Sequence, residues 1–379
     1  ILNRPLRLGM VGGGRGAFIG AVHKVACELD GKAQLVAGVL SSDPITASES
    51  AANWFLLRSY SNYQEMAIAE AANPDGIDAV IVTTPNHLHA SVASAFISAG
   101  IHVMCEKPLA FNLAEALALE QLLKDNPVVM ALAHSYTGYP AVEEAKAKVA
   151  NGELGEIRKV LVEYHQDWLM QPLEQQSDNK QASWRTNPQQ AGISCCVGDI
   201  GTHAANLVEH ITGDCITEIC ADLSTFVSGR VLDDDANILL RLRSGAKGIL
   251  TCSQIACGEE NNLRIRIYGS KGSLEWQQQE PNSLRFCQAG HPWQLLRTGV
   301  NLSSPLALAG TRLPGGHPEG YFESLANIYR RFFQDIKLIR EGKAALGGYP
   351  GITDGVRGMA FIEKAVQSSQ ANSQWVSIV

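Results

Sequence analysis

The sequence predicts an α/β chain. A parallel sheet with helices on both faces fills the first third, and an α+β part on an antiparallel sheet follows. Three observations carry this. Up to about residue 132, short and nearly continuous apolar runs alternate with Ala-rich segments of helical length. Beyond that point, apolar and polar residues alternate with a period of two. A cluster of glycines closes the first apolar run. Near-continuous apolar strands separated by helices are the pattern of a parallel sheet buried on both faces. Period-two strands joined by tight turns belong to antiparallel sheets with one exposed face.

In chain order, the apolar runs are Leu6 to Val11, Ala33 to Leu40, Ile77 to Val82, Ile101 to Cys105 and Val128 to Leu132. Ala90 to Ala99 and Leu113 to Lys124 read as helices between them. Ala141 to Ala150 reads as a helix stopped by Asn151-Gly152. Leu263 to Ile267 separates Leu and Ile from Arg strictly by parity, and residues 236 to 243 and 248 to 255 read as further strands. Ser244-Gly245 and Ser270-Lys271-Gly272 are turn signals. Residues 286 to 320 are rich in Gly, Pro and Ser and read as one long loop. Tyr321 to Glu341 and Asp354 to Ser368 read as closing helices. These segments give an expected division into residues 1–132 and 133–379, with the last helices free to pack back on the first domain.

Composition narrows the function. The chain has 379 residues, 45% hydrophobic and 18% charged, with a net charge of −7. That supports a sizeable core and excludes global disorder and a basic nucleic-acid footprint. No apolar stretch is long enough to span a bilayer, and residues 1–5 lead straight into a strand without a visible secretory signal. The nine cysteines lack zinc-site or disulfide-framework spacing. They read as reduced thiols in a cytoplasmic protein.

Gly12-Gly13-Gly14-Arg15-Gly16-Ala17 fits G-x-G-x-x-(G/A) between a strand and a helix that opens near Phe18. Small residues are needed there for the tight turn, for backbone approach to a pyrophosphate and for close helix–strand packing. The second strand ends in Leu40-Ser41-Ser42-Asp43-Pro44. Asp43 suits a ribose diol and would repel a 2′-phosphate, so NAD is expected, with NADP left open by the small hydroxyls. Equally, Ser42 or Asp43 simply opens the turn and caps the next helix.

Three further segments carry polar chemistry. Thr83-Thr84-Pro85-Asn86-His87-Leu88-His89 and Cys105-Glu106-Lys107-Pro108 follow the third and fourth strands, at the sheet edge where ligands bind in such folds. A Lys before Pro is held extended, and the Lys107–Pro108 bond is one that admits the cis isomer. In Gly198 to Leu207, Asp199 and His203 are four apart and share one face if helical. Each has a bland alternative: a helix cap, a surface ion pair or a satisfied core histidine.

Together and in this order, these motifs resemble the glucose–fructose oxidoreductase/inositol dehydrogenase (Gfo/Idh/MocA) family over essentially the whole chain. The resemblance implies an N-terminal Rossmann domain and a C-terminal domain on a large, mostly antiparallel open sheet, through which members form dimers or tetramers. It implies Lys107, Asp199 and His203 as the catalytic group. It places NAD along Gly12, Gly14, Arg15, Gly16, Ala17, Phe18, Ser41, Ser42, Asp43, Thr83, Thr84, Pro85, Asn86, His89, Glu106, Lys107 and Pro108. Ser at the end of the second strand departs from the acidic residue of many NAD-using relatives. Ser183 to Pro188 resembles the segment before the Asp/His motif in sugar and inositol dehydrogenases.

The expected reaction is oxidation of a secondary hydroxyl on a sugar, inositol or related cyclic polyol. His203 acts as base, Lys107 stabilises the oxygen, Asp199 orients by hydrogen bonding, and no metal is needed. The substrate pocket is expected among His134, Tyr136, Gln166, Trp168, Trp184, Arg185, Asp199, His203 and His317, with Tyr139, Asp167 and Glu319 nearby in sequence. Asp233-Asp234-Asp235 reads as a solvated turn rather than a metal site. Two alternatives keep the fold: an NAD-dependent glycosidase working by transient oxidation and elimination, and a non-catalytic dinucleotide sensor.

Overall fold

The computed structural model describes residues 4–176 and 179–378. The chain forms two compact units: residues 1–135 with 325–356, and residues 136–324 with 357–379.

The first unit is a six-stranded parallel sheet of β1 (Leu6–Gly12), β2 (Ala33–Val39), β3 (Arg58–Ser59), β4 (Ala79–Thr83), β5 (His102–Cys105) and β6 (Met130–Leu132). The spatial order is β3-β2-β1-β4-β5-β6. This is the dinucleotide-binding order, whose chain reversal lies between β1 and β4. Leu6, Leu8 and Met10 of β1 and Val80, Ile81 and Val82 of β4 are fully buried. Both faces of the central strands are therefore covered, and the apolar runs need no polar alternation. The fifth run shrinks to Met130–Leu132 because the backbone turns at Val128, whose N–H donates to Asn126 O.

The second unit carries a nine-stranded sheet. Its strands are β7 (Ile157–His165), β8 (Ile216–Ser224), β9 (Asp235–Leu242), β10 (Lys247–Ser253), β11 (Asn262–Gly269), β12 (Gly272–Gln277), β13 (Ser283–Gln288), β14 (Gln294–Arg297) and β15 (Val376–Ser377). The order is β14-β13-β12-β11-β7-β10-β9-β8-β15. β7 and β10 run parallel, and the other neighbouring pairs described are antiparallel. Period-two patterning sets the faces. Leu263, Ile265 and Ile267 are fully buried, so truncating one to Ala would cost about 2–5 kcal/mol. On the other face, Arg264 pairs with Glu275, and Arg266 with Glu163. The helices Pro140–Ala150 and Thr202–Thr212 pack against this sheet.

Two expectations are corrected. Residues 286 to 320 are not one loop. β13 runs to Gln288, β14 pairs with it through Leu284↔Leu296 and Phe286↔Gln294, and Pro305–Gly310 is helical. The Gly290-His291-Pro292 turn hid a short hairpin whose flanking strands bury only Leu284, Phe286 and Leu296 on one side. The Asp233-Asp234-Asp235 run is not solvated: Asp233 and Asp234 are buried. Asp233 accepts the N–H groups of Cys195 and Val197, and Asp234 those of Phe226 and Val227. Buried carboxylates persist when backbone donors satisfy them.

Candidate active site

In the first unit, the turn after β1 is shaped by contacts that only glycine tolerates. Gly12 and Gly13 have φ of +84° and +73°. A Cβ on Gly12 would lie 2.7 Å from Thr83 O, and one on Gly14 would lie 2.4 Å from Leu40 O. At Gly16, also at positive φ, a Cβ would meet open space. The following helix, Phe18–Glu28, has no side-chain cap at its N-terminus and no acidic residue in its first turn. Free N–H groups and an unneutralised positive helix end suit a pyrophosphate. The residues present thus fit a dinucleotide. Gly12 to Phe18 would cradle the phosphates, and Thr84, whose buried Oγ1 has no hydrogen-bond partner among the described residues, offers a spare polar group nearby in the fold.

Other predicted cofactor residues take structural bonds. Arg15 N–H donates to Ser50 Oγ, and its guanidinium meets Glu49 at 2.9 Å on the surface. Ser41 Oγ accepts from Asp43 N, and Asp43 caps the helix Pro44–Asn53 by accepting Thr46 N–H at 2.8 Å. Ser42 is exposed in the same turn. Thr83 Oγ1 donates to Val11 O, joining the ends of β4 and β1. Pro85 and Asn86 begin the short turn before the helix His89–Ser98. His89 is buried, with Nδ1 2.7 Å from Pro108 O and Nε2 2.8 Å from Thr84 O. It braces the loops after β4 and β5 against each other, and burial pushes its pKa down. Lys107, half-buried, follows β5, and the Lys107–Pro108 bond is cis. Glu106 beneath it is buried; His23 Nε2 is 2.9 Å from its Oε1, and Lys107 N–H donates to its Oε2. His134, just past β6, is also buried.

In the second unit, Asp199 lies in a wide π-helical turn, Val197–Gly201, which runs into the α-helix Thr202–Thr212 carrying His203. Thr202 N–H reaches back to Val197 O, an i→i−5 bond. Such insertions are frequent at functional sites. The expected helical spacing of Asp199 and His203 is therefore present, but across a π turn rather than within one regular α-helix. The turn is held from below by Asp233 and by Ser194 Oγ, which accepts Gly198 N–H.

Asp199 Oδ2 accepts from Gln254 Nε2 at 2.9 Å and lies 3.3 Å from Arg185 Nε. The Arg185 guanidinium stacks 4.3 Å over the Trp184 ring and 5.8 Å from that of Trp168. His203 is buried, its ring edge-on to Tyr136 at 4.9 Å. Tyr136 and Tyr164 hydroxyls are 2.5 Å apart. Tyr164 donates to Asn261, which also receives Gln166 Nε2, while Trp168 Nε1 donates to Gln166 Oε1. Burial pushes the Tyr164 phenol well up, so it stays a neutral donor. Tyr136, Gln166, Trp168, Trp184, Arg185, Asp199 and His203 thus come together as one polar and aromatic surface. This is the composition carbohydrate pockets use, with rings as platforms and paired side chains for hydroxyls.

Three predicted residues do other work. Tyr139 packs on Trp276, Asp167 accepts Gly258 N–H, and Glu319 accepts the N–H groups of Arg312 and Leu313. His317 sits on an exposed turn, its Nδ1 3.2 Å from Pro314 O. Gln254, Tyr164 and Asn261 were missed from sequence. Only the strand assignments of β7, β10 and β11 could have pointed to them, as polar positions at strand ends. The cysteines are free, and burial pushes the thiols of Cys105, Cys195 and Cys196 well up, away from nucleophilic thiolates.

A Rossmann sheet with a pyrophosphate cradle and a lysine at a strand end, together with a carboxylate–histidine helix on an open antiparallel sheet, defines an NAD-binding oxidoreductase. Residues 6–134 match the sequence model of the oxidoreductase family with NAD-binding Rossmann fold, and residues 142–275 that of the GFO/IDH/MocA C-terminal domain. The chain belongs to the Gfo/Idh/MocA family. It is 34% identical to the uncharacterized oxidoreductase YfiI of Bacillus subtilis, over 99% of this chain and 98% of that one. It matches an inositol dehydrogenase homologue from Azotobacter vinelandii solved with NAD+ (TM-score 0.94, 37% identity, 99% and 98% of the two chains covered); that homologue was also solved with NADH and myo-inositol. Levoglucosan dehydrogenase of Pseudarthrobacter phenanthrenivorans is 29% identical over 98% of both chains. A levoglucosan dehydrogenase structure with NADH and levoglucosan has a TM-score of 0.86, with 29% identity and 99% and 100% coverage. The first unit is accordingly an NAD-binding Rossmann domain. Among the described residues no helix is long and apolar enough to cross a membrane.

Proposed function

We propose that the enzyme oxidises a secondary hydroxyl of an uncharged cyclic polyol, an inositol or a sugar, with NAD. The reading is carried by the Asp199–His203 helix beside the Tyr136, Gln166, Trp168 and Trp184 surface. Arg185 is a cation at that surface, and its Nε lies 3.3 Å from Asp199 Oδ2. That favours neutral hydroxyls over an anionic substrate.

Bound NAD supplies the two-electron acceptor. His203 takes the hydroxyl proton, a task suited to imidazole near neutral pH. Lys107 donates to the same oxygen and offsets the negative charge that grows on it. Asp199, fixed by Gln254 and Arg185, orients a hydroxyl or the His203 ring. The nine free thiols support a cytoplasmic, reducing setting. The exposed Leu239, Tyr268 and Leu295 of the open sheet support self-association through that face into a dimer or tetramer.

The test is NADH formation by the purified protein with NAD, and separately NADP, against inositols, hexoses, anhydrosugars and glycosides. Steady NADH formation on a free polyol or sugar is expected. NAD-dependent aglycone release without net NADH would replace this reading with the glycosidase. NAD binding without turnover on the whole panel would replace it with the sensor.

A further inference from the structure

Glu106 is a buried carboxylate directly beside the proposed electrophile, and such a group persists as an anion only when donors satisfy it. Two donors are present. Lys107 N–H bonds Oε2 at 3.1 Å, and His23 Nε2 lies 2.9 Å from Oε1. His23 comes from the helix that follows the glycine turn and is fully buried. Its other nitrogen, Nδ1, is 2.6 Å from the hydroxyl of Tyr329, a residue 306 positions further along the chain. An ionised carboxylate can only accept, so Nε2 carries the proton. Nδ1 of the neutral ring is then free to accept the Tyr329 O–H. Each group in the row is satisfied, and the row holds a single negative charge.

The other titratable groups influencing Glu106 are His89, from the helix after β4, and Lys107 itself; Glu106 in turn acts on Cys105 and Tyr329. Burial pushes the Glu106 carboxyl up, but the His23 hydrogen bond and the neighbouring Lys107 ammonium outweigh it and hold it below the usual range.

We propose that His23 and Tyr329 are positioning residues that act on Lys107 through Glu106: they keep Glu106 an anion, and the anion fixes the Lys107 backbone and supplies a nearby negative charge to its ammonium. This rests on the reading of Lys107 as donor to the substrate oxygen. If His23 were only packing, an apolar side chain of similar size would serve, and loss of the donor would not alter the pH dependence of turnover. If the row is functional, loss of the Nε2 donor lets Glu106 take up a proton at higher pH. Lys107 then loses both its backbone tether and the neighbouring charge.

The experiment measures kcat against pH for the full chain and its His23→Leu, His23→Gln and Tyr329→Phe variants, with NAD affinity by fluorescence titration. His23→Leu is expected to move the acid limb of kcat up by about one pH unit or more, a loss of about tenfold on that limb, with NAD affinity within about threefold. In His23→Gln the amide N–H replaces Nε2–H, and the limb is expected to return most of the way. Tyr329→Phe should move it in the same direction by less. An unmoved limb in both His23→Leu and Tyr329→Phe would overturn the proposal. So would a loss in His23→Leu that is equal at every pH and that His23→Gln does not restore. Should His23→Leu not fold, Tyr329→Phe decides, together with nitrogen NMR of the wild-type imidazole. A neutral Nε2–H ring supports the row, and a ring charged at neutral pH overturns it. A wild-type enzyme inactive on every polyol would instead sink the functional reading. That outcome is distinct from an active enzyme whose limb does not move.

Discussion

The two units hold their chemistry in opposite ways. In the first, Gly12 to Ala17, Thr83 to His89 and Glu106 to Pro108 each lie within a few residues of a strand end, and the parallel sheet gathers those ends at one edge. In the second, the Asp199–His203 segment depends on partners far off in the chain: Asp233 beneath the π turn, Gln254 on Asp199, and Asn261 behind the tyrosines. A parallel sheet localises function by topology, so short motifs suffice. An antiparallel sheet offers no such edge, and its polar site is assembled by hydrogen bonds across 36 to 125 residues.

The sharpest way to break the contrast is at the glycine turn. Gly12→Val puts branched carbons against Thr83 O and Thr84 N at a φ of +84°, where the backbone has no room to give. We expect NAD affinity to fall by at least about 100-fold by fluorescence titration. Substitutions at Tyr136 or Gln254 should leave it within a few-fold. A Gly12→Val protein that binds NAD normally would remove the basis for assigning the cradle.

The second unit is tested at Gln254. It is fully buried, donates to Asp199 and receives the Cys195 thiol. Gln254→Leu keeps the volume and deletes this donor to Asp199. We expect kcat to fall by roughly 10- to 100-fold, the cost of an unmet hydrogen bond to a charged group, with unchanged NAD affinity. Unchanged turnover would show that the role of Asp199 does not depend on Gln254.

The smallest effect concerns stability of the first unit. His102 accepts the Val129 N–H on Nδ1, which requires a neutral ring. Burial, with Arg340, pushes its pKa down to about 4. A group depressed in the folded state contributes stability above its unfolded pKa and loses it as pH falls. The His102 contribution should therefore be complete above about pH 6.5 and vanish towards pH 4, a change on the order of 3 kcal/mol. His102→Gln should flatten that part of the urea-denaturation profile; an unaltered slope would assign it to other groups. Asp78 acts lower. Its burial is outweighed by Arg4, the Arg7 N–H and Arg340, so its contribution is lost only as pH falls below the ordinary aspartate range.

The same contrast explains what was legible in the sequence. The parallel sheet, its glycine turn and the Glu-Lys-Pro and Asp/His motifs could be read because they are local. β11 could be read because Leu263, Ile265 and Ile267 alternate with arginines. The β13–β14 hairpin could not, because its short strands bury few side chains and its turn carries Gly and Pro. The burial of Asp233 and Asp234 was hidden for a related reason. A carboxylate among backbone donors and one in water look alike in sequence. Gln254, Tyr164 and Asn261 were invisible because their partners lie 55, 28 and 125 residues away. Asp43 shows the reverse case: the bland reading as a helix cap is the bond the structure contains.

The central proposal is that Lys107 and His203 each serve the chemical step, separately from cofactor binding. The most direct measurement mixes NAD-saturated wild type, Lys107→Met and His203→Asn with the preferred polyol and follows enzyme-bound NADH in the first turnover. The account predicts near-normal NAD affinity in all three, with the first-turnover rate falling by roughly 100-fold or more in each variant. A first turnover at the wild-type rate in either variant would contradict it.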